Sequence, residues 1–277
     1  MNYEKDKNGI ILRDREYFSA EAVLNCGQVF RFKRAEGGYE VFSEDKRCLI
    51  VEGDSDTRIV ADCPAYFIRY FDLERDYGAI IDSLNEIPDM REATAFGRGM
   101  RILNQNLFET VISFIISANN NIKRIQGIIE SLCRVLGEDR GGYYAFPTPE
   151  AMSGAGREVF YTLGAGYRAD YIYDTACLIA SRAFELEKVW NMSTPEAASY
   201  LLTLPGVGPK VADCILLFAY HRMDVFPVDT WIAKVYADQC ETCATRTKMR
   251  EFLISKYGAK LSGYAQQYLF YYKRSFK

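Results

Sequence analysis

The first hundred residues alternate apolar and polar positions in the manner of β-strands. In QVFRFKR, residues 28–34, Phe30 and Phe32 alternate with basic residues, which is the period of a half-buried strand. Turn residues, beginning with a Gly-Gly pair, separate it from further short segments of strand composition at residues 39–42, 47–51 and 57–60. The pattern predicts an antiparallel sheet, with a hairpin at its start.

After Pro64 the apolar period becomes helical, and from Arg101 onward no strand pattern is found. One predicted helix ends in an asparagine triplet at 119–121, and the helical period resumes over residues 122–136. Thr194 is predicted to cap a later helix that begins with Pro195. The expected fold class is α+β: an N-terminal antiparallel β-sheet domain with helices, residues 1–96, followed by a larger all-α domain, residues 97–277.

Composition narrows the class of protein. The 277 residues are 49% hydrophobic and 26% charged, a globular balance with enough chain for two domains. No apolar run approaches the ~20 residues that span a bilayer, and the first ten residues lack the apolar stretch of a signal peptide. We therefore expect a cytoplasmic protein, nucleoid-associated if bacterial, with its eight scattered cysteines mostly buried as thiols.

The charge distribution is uneven along the chain. The formal net charge is -3, yet residues 240–277 carry 8 Lys and Arg against 2 Asp and Glu. Such a basic segment suits phosphate contact, and a solvated helix face explains it about equally well. Charge alone does not decide the partner.

The segment LLTLPGVGPKVADCILLFAY, residues 201–220, carries the most specific local pattern. A helix ends near Thr203, a turn containing Gly206 and Gly208 follows, and Pro209 begins a second helix. The glycines permit close backbone approach, and the unpaired N–H groups of the new helix can bind a phosphate. The pattern predicts a helix-hairpin-helix, at about 195–221, that grips a nucleic-acid backbone; the alternative is a bare turn between helices.

Lys210 is the second residue of the predicted second helix. There its ammonium faces the positive end of the helix dipole, which favours the neutral, nucleophilic amine. Nineteen residues on, Asp229 precedes another helix and is well placed as its N-cap. It could equally stabilise positive charge on a sugar, and the spacing leaves both roles open.

Together these motifs resemble the helix-hairpin-helix/Gly-Pro-Asp superfamily of DNA glycosylases, and within it the 8-oxoguanine DNA glycosylase/AP lyases. The hairpin, Lys210 and the PVD tripeptide at 227–229 carry the resemblance, which covers nearly the whole chain. Four further segments match in order: CGQVFR at 26–31, SANNNIKRI at 117–125, LGAGYRA at 163–169 and GYAQQYLF at 263–270.

The resemblance implies a bifunctional enzyme of base excision repair. A damaged nucleotide leaves the duplex stack, and Lys210 attacks its sugar C1′, displaces the base and forms a Schiff base. Elimination of the 3′ phosphate then cleaves the strand, while Asp229 stabilises the oxocarbenium-like sugar. The implied partner is double-stranded DNA containing oxidised guanine, the enzyme is expected to be a monomer, and neither cofactor nor metal is expected.

The resemblance also assigns residues to the base. The Gly27 carbonyl would accept a hydrogen bond from N7–H of 8-oxoguanine and repel the N7 lone pair of guanine. Gln266 would contact the Watson–Crick edge, Phe270 would stack on one face and Cys214 would pack against the other. Without the resemblance, the same side chains would be ordinary core residues and a surface amide.

Opposite the extruded base, Asn119, Arg124 and Arg168 match residues that hold the estranged cytosine, and Tyr167 matches the residue that wedges into the gap. A preference for a lesion paired with cytosine follows from these matches.

Two features depart from the family. Trp231 stands where eukaryotic members carry a phosphate-contacting histidine, which puts that contact in doubt. Cys240 and Cys243 form a lone pair, so neither a four-cysteine iron–sulfur cluster nor a zinc site is expected.

Two alternatives of other classes remain. One is a monofunctional alkylated-base glycosylase, which uses water and lacks the lysine. The other is a non-enzymatic helix-hairpin-helix DNA-binding module, for which Asp229 and the base-contacting residues would have no use.

Overall fold

The computed structural model of the chain describes residues 1–13, 15–53, 55–237, 243 and 245–276. Its N-terminal part is a six-stranded antiparallel sheet in the order β1-β2-β6-β5-β4-β3. The strands are β1 Tyr3–Lys5, β2 Gly9–Leu12, β3 Phe32–Ala35, β4 Gly38–Ser43, β5 Lys46–Glu52 and β6 Thr57–Ala61.

Helices α1 Ala20–Asn25 and α2 Pro64–Tyr70 cover one face of this sheet. Alternate strand residues such as Val41, Ile50 and Ile59 point into the core beneath the two helices and are fully buried. The predicted hairpin pairs Lys33 with Glu40 and Ala35 with Gly38. Strands β1 and β2 and helix α1 were not predicted from the sequence.

The remainder of the described chain is helical, apart from a single bridge between Asp139 and Tyr144. Helices α3 to α6 are Tyr77–Asn85, Arg91–Phe96, Leu107–Ser117 and Ile122–Leu136. Helices α7 to α10 are Pro149–Gly154, Arg157–Thr162, Arg168–Ala180 and Thr194–Leu201. Helices α11 to α14 are Pro209–Phe218, Thr230–Val235, Arg246–Tyr257 and Ser262–Ser275. Short 3-10 turns occur at Pro88–Met90 and Leu186–Asn191.

Helix α10 begins one residue earlier than predicted. Its N-cap is Ser193, whose hydroxyl and backbone N–H both interact with the Glu196 carboxylate in a capping box. Thr194 is the first helical residue and not the cap, because the serine supplies the capping side chain first.

The segment between α1 and β3 joins the two hydrophobic cores. Val29 packs in the sheet core, whereas Cys26 and Phe30 pack in the core of the helical part. The Gln28 amide, fully buried, donates to the carbonyls of Val23 and Arg101 and accepts from Leu103 N–H. The CGQVFR segment is therefore fixed between the sheet and the helices.

None of the described helices combines the length and the apolar composition needed to cross a membrane.

Candidate active site

The turn between α10 and α11 has the predicted helix-hairpin-helix geometry. Gly206 has φ +79, and a Cβ at this position would lie 2.7 Å from the Cβ of Tyr171 on α9. Gly208 is the N-cap of α11, and a Cβ there would meet no atom within 4 Å. The hairpin therefore packs on α9 through Gly206 and leaves Gly208 open to an approaching molecule.

Lys210 occupies the second position of α11, as predicted, and its side chain is half-buried. Its Nζ lies 5.4 Å from the centroid of the Phe114 ring of α5. Phe114 in turn contacts Phe30, with ring centroids 5.6 Å apart, and stacks on Phe218. Two aromatic rings thus connect the lysine to the CGQVFR segment. Phe114 was not among the predicted site residues, although its place on the buried face of α5 is visible in the sequence.

Cys214 lies one turn after Lys210 and is buried. Burial raises the pKa of its thiol to about 11; the Lys210 ammonium opposes this shift, and the carboxylates of Asp213 and Asp229 add to it. Cys214 is therefore a neutral thiol at neutral pH. Lys210, Asp213 and Asp229 are therefore each close enough to Cys214 to influence its thiol.

Asp229 is the N-cap of α12. Its Oδ1 accepts a hydrogen bond of 2.8 Å from the Ile232 N–H, which confirms the capping role expected from the sequence. The side chain is only partly buried, and its Oδ2 accepts no hydrogen bond from the residues the structure describes. One carboxylate oxygen thus caps the helix, while the other has no hydrogen-bond donor among the described residues.

A cavity of about 620 Å³ adjoins Lys210, which is within the range of ~300–1,000 Å³ typical of small-ligand sites. Gly206, Gly208 and Lys210 contribute to its wall, together with residues of α10 and of the start of α13. The acidic residues Asp213 and Asp224 also line it. The four predicted base-contacting residues do not line this cavity. This cavity therefore lies beside the hairpin and next to Lys210, the candidate nucleophile.

Gly27 and Phe270 are in contact although 243 positions separate them along the chain. Gly27 has φ +85, and a Cβ there would lie 3.0 Å from Phe270 Cε1 and 3.1 Å from Nη1 of the Arg274 guanidinium. The Arg274 guanidinium donates to the Asn25 carbonyl at 2.6 Å and lies 5.2 Å from the Phe270 ring. Glycine is favoured at position 27, because its positive φ would strain another residue and an added Cβ would press on Phe270 and Arg274.

Gln266, one turn before Phe270, is 4% exposed, so it is not the surface amide that the residue type alone suggests. Its Oε1 is buried and accepts no hydrogen bond from the residues that the structure describes. The neighbouring Gln267 donates instead to the Cys26 carbonyl at 2.8 Å. An unsatisfied buried amide oxygen is costly, which is characteristic of a group that awaits a ligand.

The residues matched to the opposite strand converge at one point. Arg168, 3% exposed, donates from Nε to the Ala118 carbonyl at 2.7 Å and from Nη2 to the Asn119 carbonyl at 2.8 Å. Arg124 donates to the Gly164 carbonyl at 3.1 Å and remains exposed. Asn119 is exposed with φ +48, a conformation that asparagine tolerates well.

Tyr167, 54% exposed, lies beneath the Arg168 guanidinium, whose Cζ is 4.5 Å from the ring centroid. Its hydroxyl donates to the Ala118 carbonyl at 3.4 Å. A large aromatic side chain held at the surface in this way can insert between bases.

A buried ion pair near Lys210 was not foreseen. Arg250 of α13 donates to both carboxylate oxygens of Asp213, at 2.5 and 2.9 Å, and Asp213 is 3% exposed. The only sequence signal was that Asp213 lies three residues after Lys210 on the same helix.

Most of the described cysteines are buried, as expected from the sequence. Cys26, Cys48, Cys133 and Cys214 are buried, whereas Cys63 is exposed and Cys177 is half-buried. Cys240 of the CxxC pair lies outside the described residues. Among the described residues, no group of three His, Cys, Asp or Glu side chains could hold a metal ion.

The fold and the site define a class: a helix-hairpin-helix protein with a lysine at the start of the second hairpin helix and a carboxylate at the next helix. Residues 10–111 match the family model of the 8-oxoguanine DNA glycosylase N-terminal domain. Residues 112–257 match that of the HhH-GPD superfamily base excision DNA repair proteins. The chain belongs to the 8-oxoguanine DNA glycosylase/AP lyase family of this superfamily.

Individual relatives agree with this assignment. The N-glycosylase/DNA lyase of Saccharomyces cerevisiae is 30% identical over 86% of this chain and 72% of its own length. A probable N-glycosylase/DNA lyase of Methanothermobacter thermautotrophicus is 33% identical over 64% of each protein.

Among solved structures, the Clostridium acetobutylicum 8-oxoguanine glycosylase/lyase superposes with a TM-score of 0.92. It is 37% identical, and the alignment covers 99% of this chain and 98% of that one. That structure is a complex with double-stranded DNA containing cytosine opposite 8-oxoguanine.

Proposed function

We propose that this chain excises 8-oxoguanine from duplex DNA and cleaves the strand at the resulting abasic site, with Lys210 as the nucleophile. The observation that carries the proposal is the position of Lys210, half-buried at the start of α11 and beside a cavity of about 620 Å³. Both Lys210 and Asp229 lie close enough to Cys214 to influence its thiol.

The chemistry follows from that position. The extruded nucleotide presents its C1′ to the neutral Lys210 amine, whose nitrogen lone pair forms a bond to C1′ as the bond to the base breaks. The departing base takes the electron pair of that bond and a proton released by the attacking amine. The bond from C1′ to the ring oxygen then breaks, the oxygen takes a proton from solvent, and nitrogen and C1′ form a protonated Schiff base. Water takes a proton from C2′, the electron pair left behind forms a C2′–C3′ double bond, and the 3′ phosphate departs with the electron pair of its own bond. The uncapped oxygen of Asp229 stabilises the positive charge on the sugar in the first step.

Base selection rests on the contact between the CGQVFR segment and α14. The Gly27 carbonyl accepts from N7–H of the lesion, a hydrogen that guanine lacks. The unsatisfied Oε1 of Gln266 accepts from the N–H groups on the Watson–Crick edge. Phe270, held against Gly27, stacks on the base. Guanine would leave the buried acceptor at Gly27 unpaired, at a cost of roughly 1–3 kcal/mol.

We propose that cytosine is the preferred opposite base. Asn119 and Arg124 are exposed beside Tyr167 and have donors left for its acceptor-rich edge. Arg168 uses most of its donors on backbone carbonyls, and one Nη1 hydrogen remains for the base. Tyr167 fills the gap left by the extruded nucleotide.

The test of the nucleophile is borohydride trapping on a duplex with 8-oxoguanine opposite cytosine. Wild-type protein should form a covalent adduct with the DNA, and Lys210→Gln should form none. Lys234→Gln is the matched control, because Lys234 is an exposed lysine in the last turn of α12. Trapping of Lys210→Gln at the wild-type level would show that another amine attacks the sugar.

The opposite-base proposal is tested separately by single-turnover cleavage opposite cytosine and opposite adenine. The wild-type rate should be higher opposite cytosine, and Arg124→Gln should narrow the ratio. Equal wild-type rates would exclude the role given to Asn119 and Arg124.

A further inference from the structure

The first turn of α13 is part of the wall of the cavity beside Lys210. Arg246 and Thr247 of this turn, and Arg250 directly after it, line the same cavity as Gly206 and Gly208. This turn begins the basic segment of the sequence, and it contains no acidic residue. Two arginine side chains therefore line the cavity, and they differ in their hydrogen-bond partners.

Arg250 is neutralised, because Asp213 receives both of its hydrogen bonds and the carboxylate is buried. Arg246 is exposed, and its Nη2 donates to Thr230 Oγ1 at 3.4 Å. Within the part of the chain that the structure describes, no carboxylate lies within ion-pair distance of Arg246. The positive charge of Arg246 is therefore open to an external anion.

Helix stability does not explain an arginine at this position. Arg246 is the first residue of α13, next to the N-cap Thr245. A cation there faces the positive end of the helix dipole, which destabilises a helix where an acidic residue would stabilise it. The hydrogen bond to Thr230 places the Arg246 guanidinium near the proposed sugar-stabilising Asp229, because Thr230 directly follows Asp229 in the chain. The neighbouring Trp231 carries no charge, so that position contributes no cation.

We propose that Arg246 binds a backbone phosphate of the DNA strand that carries the lesion. The phosphate lies between the Arg246 guanidinium and the N–H groups at the start of α11, so that the two ends of the cavity clamp one strand. This inference rests on the proposed function, because Lys210 and Asp229 place the lesion nucleotide of the same strand beside the cavity.

The first test is a salt titration of binding to a duplex with an uncleavable abasic analogue. Arg246→Gln should weaken binding roughly tenfold and lower the slope of log affinity against log salt by about one. The matched control is Lys248→Gln, which removes the same charge from the same helix turn at a residue that does not line the cavity. Its slope should stay near the wild-type value.

The second test locates the phosphate. Each linkage flanking the abasic analogue is replaced in turn by a neutral methylphosphonate. At one linkage, the neutral replacement should lower the affinity of the wild type and should cause no further loss of affinity in Arg246→Gln. The proposal is wrong if, at every linkage, the replacement lowers the affinity of Arg246→Gln by the same factor as that of the wild type. It is also wrong if Lys248→Gln lowers the salt slope as much as Arg246→Gln does. In either case Arg246 contributes only a general positive field.

Two controls separate this inference from its premises. The thermal midpoint of Arg246→Gln should equal or exceed that of the wild type, because a cation leaves the helix N-terminus, and Arg246→Lys should retain most of the salt slope. A wild type that binds the duplex without cleaving 8-oxoguanine would overturn the proposed function. A wild type that cleaves, with an Arg246→Gln slope unchanged, would overturn only the phosphate contact.

Discussion

Two adjacent glutamines of α14 are both buried, yet their hydrogen bonding is opposite. Gln267 donates to the Cys26 carbonyl, whereas the Oε1 of Gln266 accepts from nothing in the described chain. A hydrogen-bonded buried amide stabilises the fold, and an unsatisfied one costs free energy. Stability and function are therefore expected to separate at these two positions.

Gln266→Leu should raise the free energy of unfolding by roughly 1 kcal/mol, because it removes an unsatisfied acceptor at similar volume. The same change should slow excision of 8-oxoguanine by at least about tenfold, since the Watson–Crick edge loses its partner. Gln267→Leu should instead lower the free energy of unfolding by about 1–3 kcal/mol.

Urea unfolding and single-turnover excision measure the two quantities on each variant. A destabilised Gln266→Leu protein would show that Oε1 of Gln266 is hydrogen-bonded in the free protein. Excision by Gln266→Leu at the wild-type rate would show that this oxygen does not contact the base.

At the scale of elements, the two glycines of the hairpin have different roles. Gly206 packs against Tyr171 with positive φ, so Gly206→Ala should lower the free energy of unfolding by about 2–4 kcal/mol. Gly208 is an N-cap with open space around it, so Gly208→Ala should cost about 1 kcal/mol or less.

DNA binding should rank the two variants differently. The added methyl of Gly208→Ala stands where a phosphate approaches α11, so its affinity for an abasic duplex should fall in a fully folded protein. Anisotropy titrations on samples checked for folding by circular dichroism provide the measurement. If Gly208→Ala binds as tightly as the wild type, the hairpin does not hold the backbone at that residue.

The sequence predicted elements where the pattern is local and regular. Strands β3 to β6 alternate clearly, and the hairpin carries its own glycines and proline, so their positions followed from neighbouring residues. Strands β1 and β2 are short, and β2 pairs with β6 across almost fifty residues. Helix α1 has six residues, too few to establish a period. Such elements depend on tertiary pairing that no local window contains.

The site divides in the same way. Lys210 and Asp229 follow from helix starts, which are local features. The contact of Gly27 with Phe270 and the burial of Gln266 join the two ends of the chain, and only the resemblance indicated them. The Arg246–Thr230 contact lies between two helices whose spacing carries no signal, so it required the structure.

At the scale of the whole molecule, the sheet and the helices are joined by buried polar contacts as well as by packing. Arg31, the last residue of the CGQVFR segment, pairs with Glu109 of α5 at 3.3 Å and donates to the Tyr144 carbonyl at 2.7 Å. Arg101, fully buried, donates to the backbone of Phe71 and Tyr17. These contacts hold the CGQVFR segment and the sheet against the helical part.

His221, the single histidine of the sequence, is a third such contact. Its side chain is 10% exposed, and its Nε2 lies 3.4 Å from Asp72 Oδ2, between the end of α11 and the N-terminal part. Burial lowers the pKa of its imidazole below the ordinary 6.5, and Arg75 adds to the shift, while Asp72 opposes it. The imidazole is therefore neutral in the folded protein at neutral pH.

The sign of the pH effect follows from that pKa. As the pH falls below about 6.5 the unfolded chain binds the proton first, so the free energy of unfolding declines until the folded protein is protonated as well. In His221→Asn, which keeps a residue tolerant of φ +53, this part of the decline should be missing. Urea unfolding at pH 7.5, 6.5 and 5.5 compares the two proteins. Because all other titrating groups are shared, a decline of equal size in both would mean that His221 takes up its proton equally in the folded and unfolded chains, and that the junction between sheet and helices does not respond to pH through it.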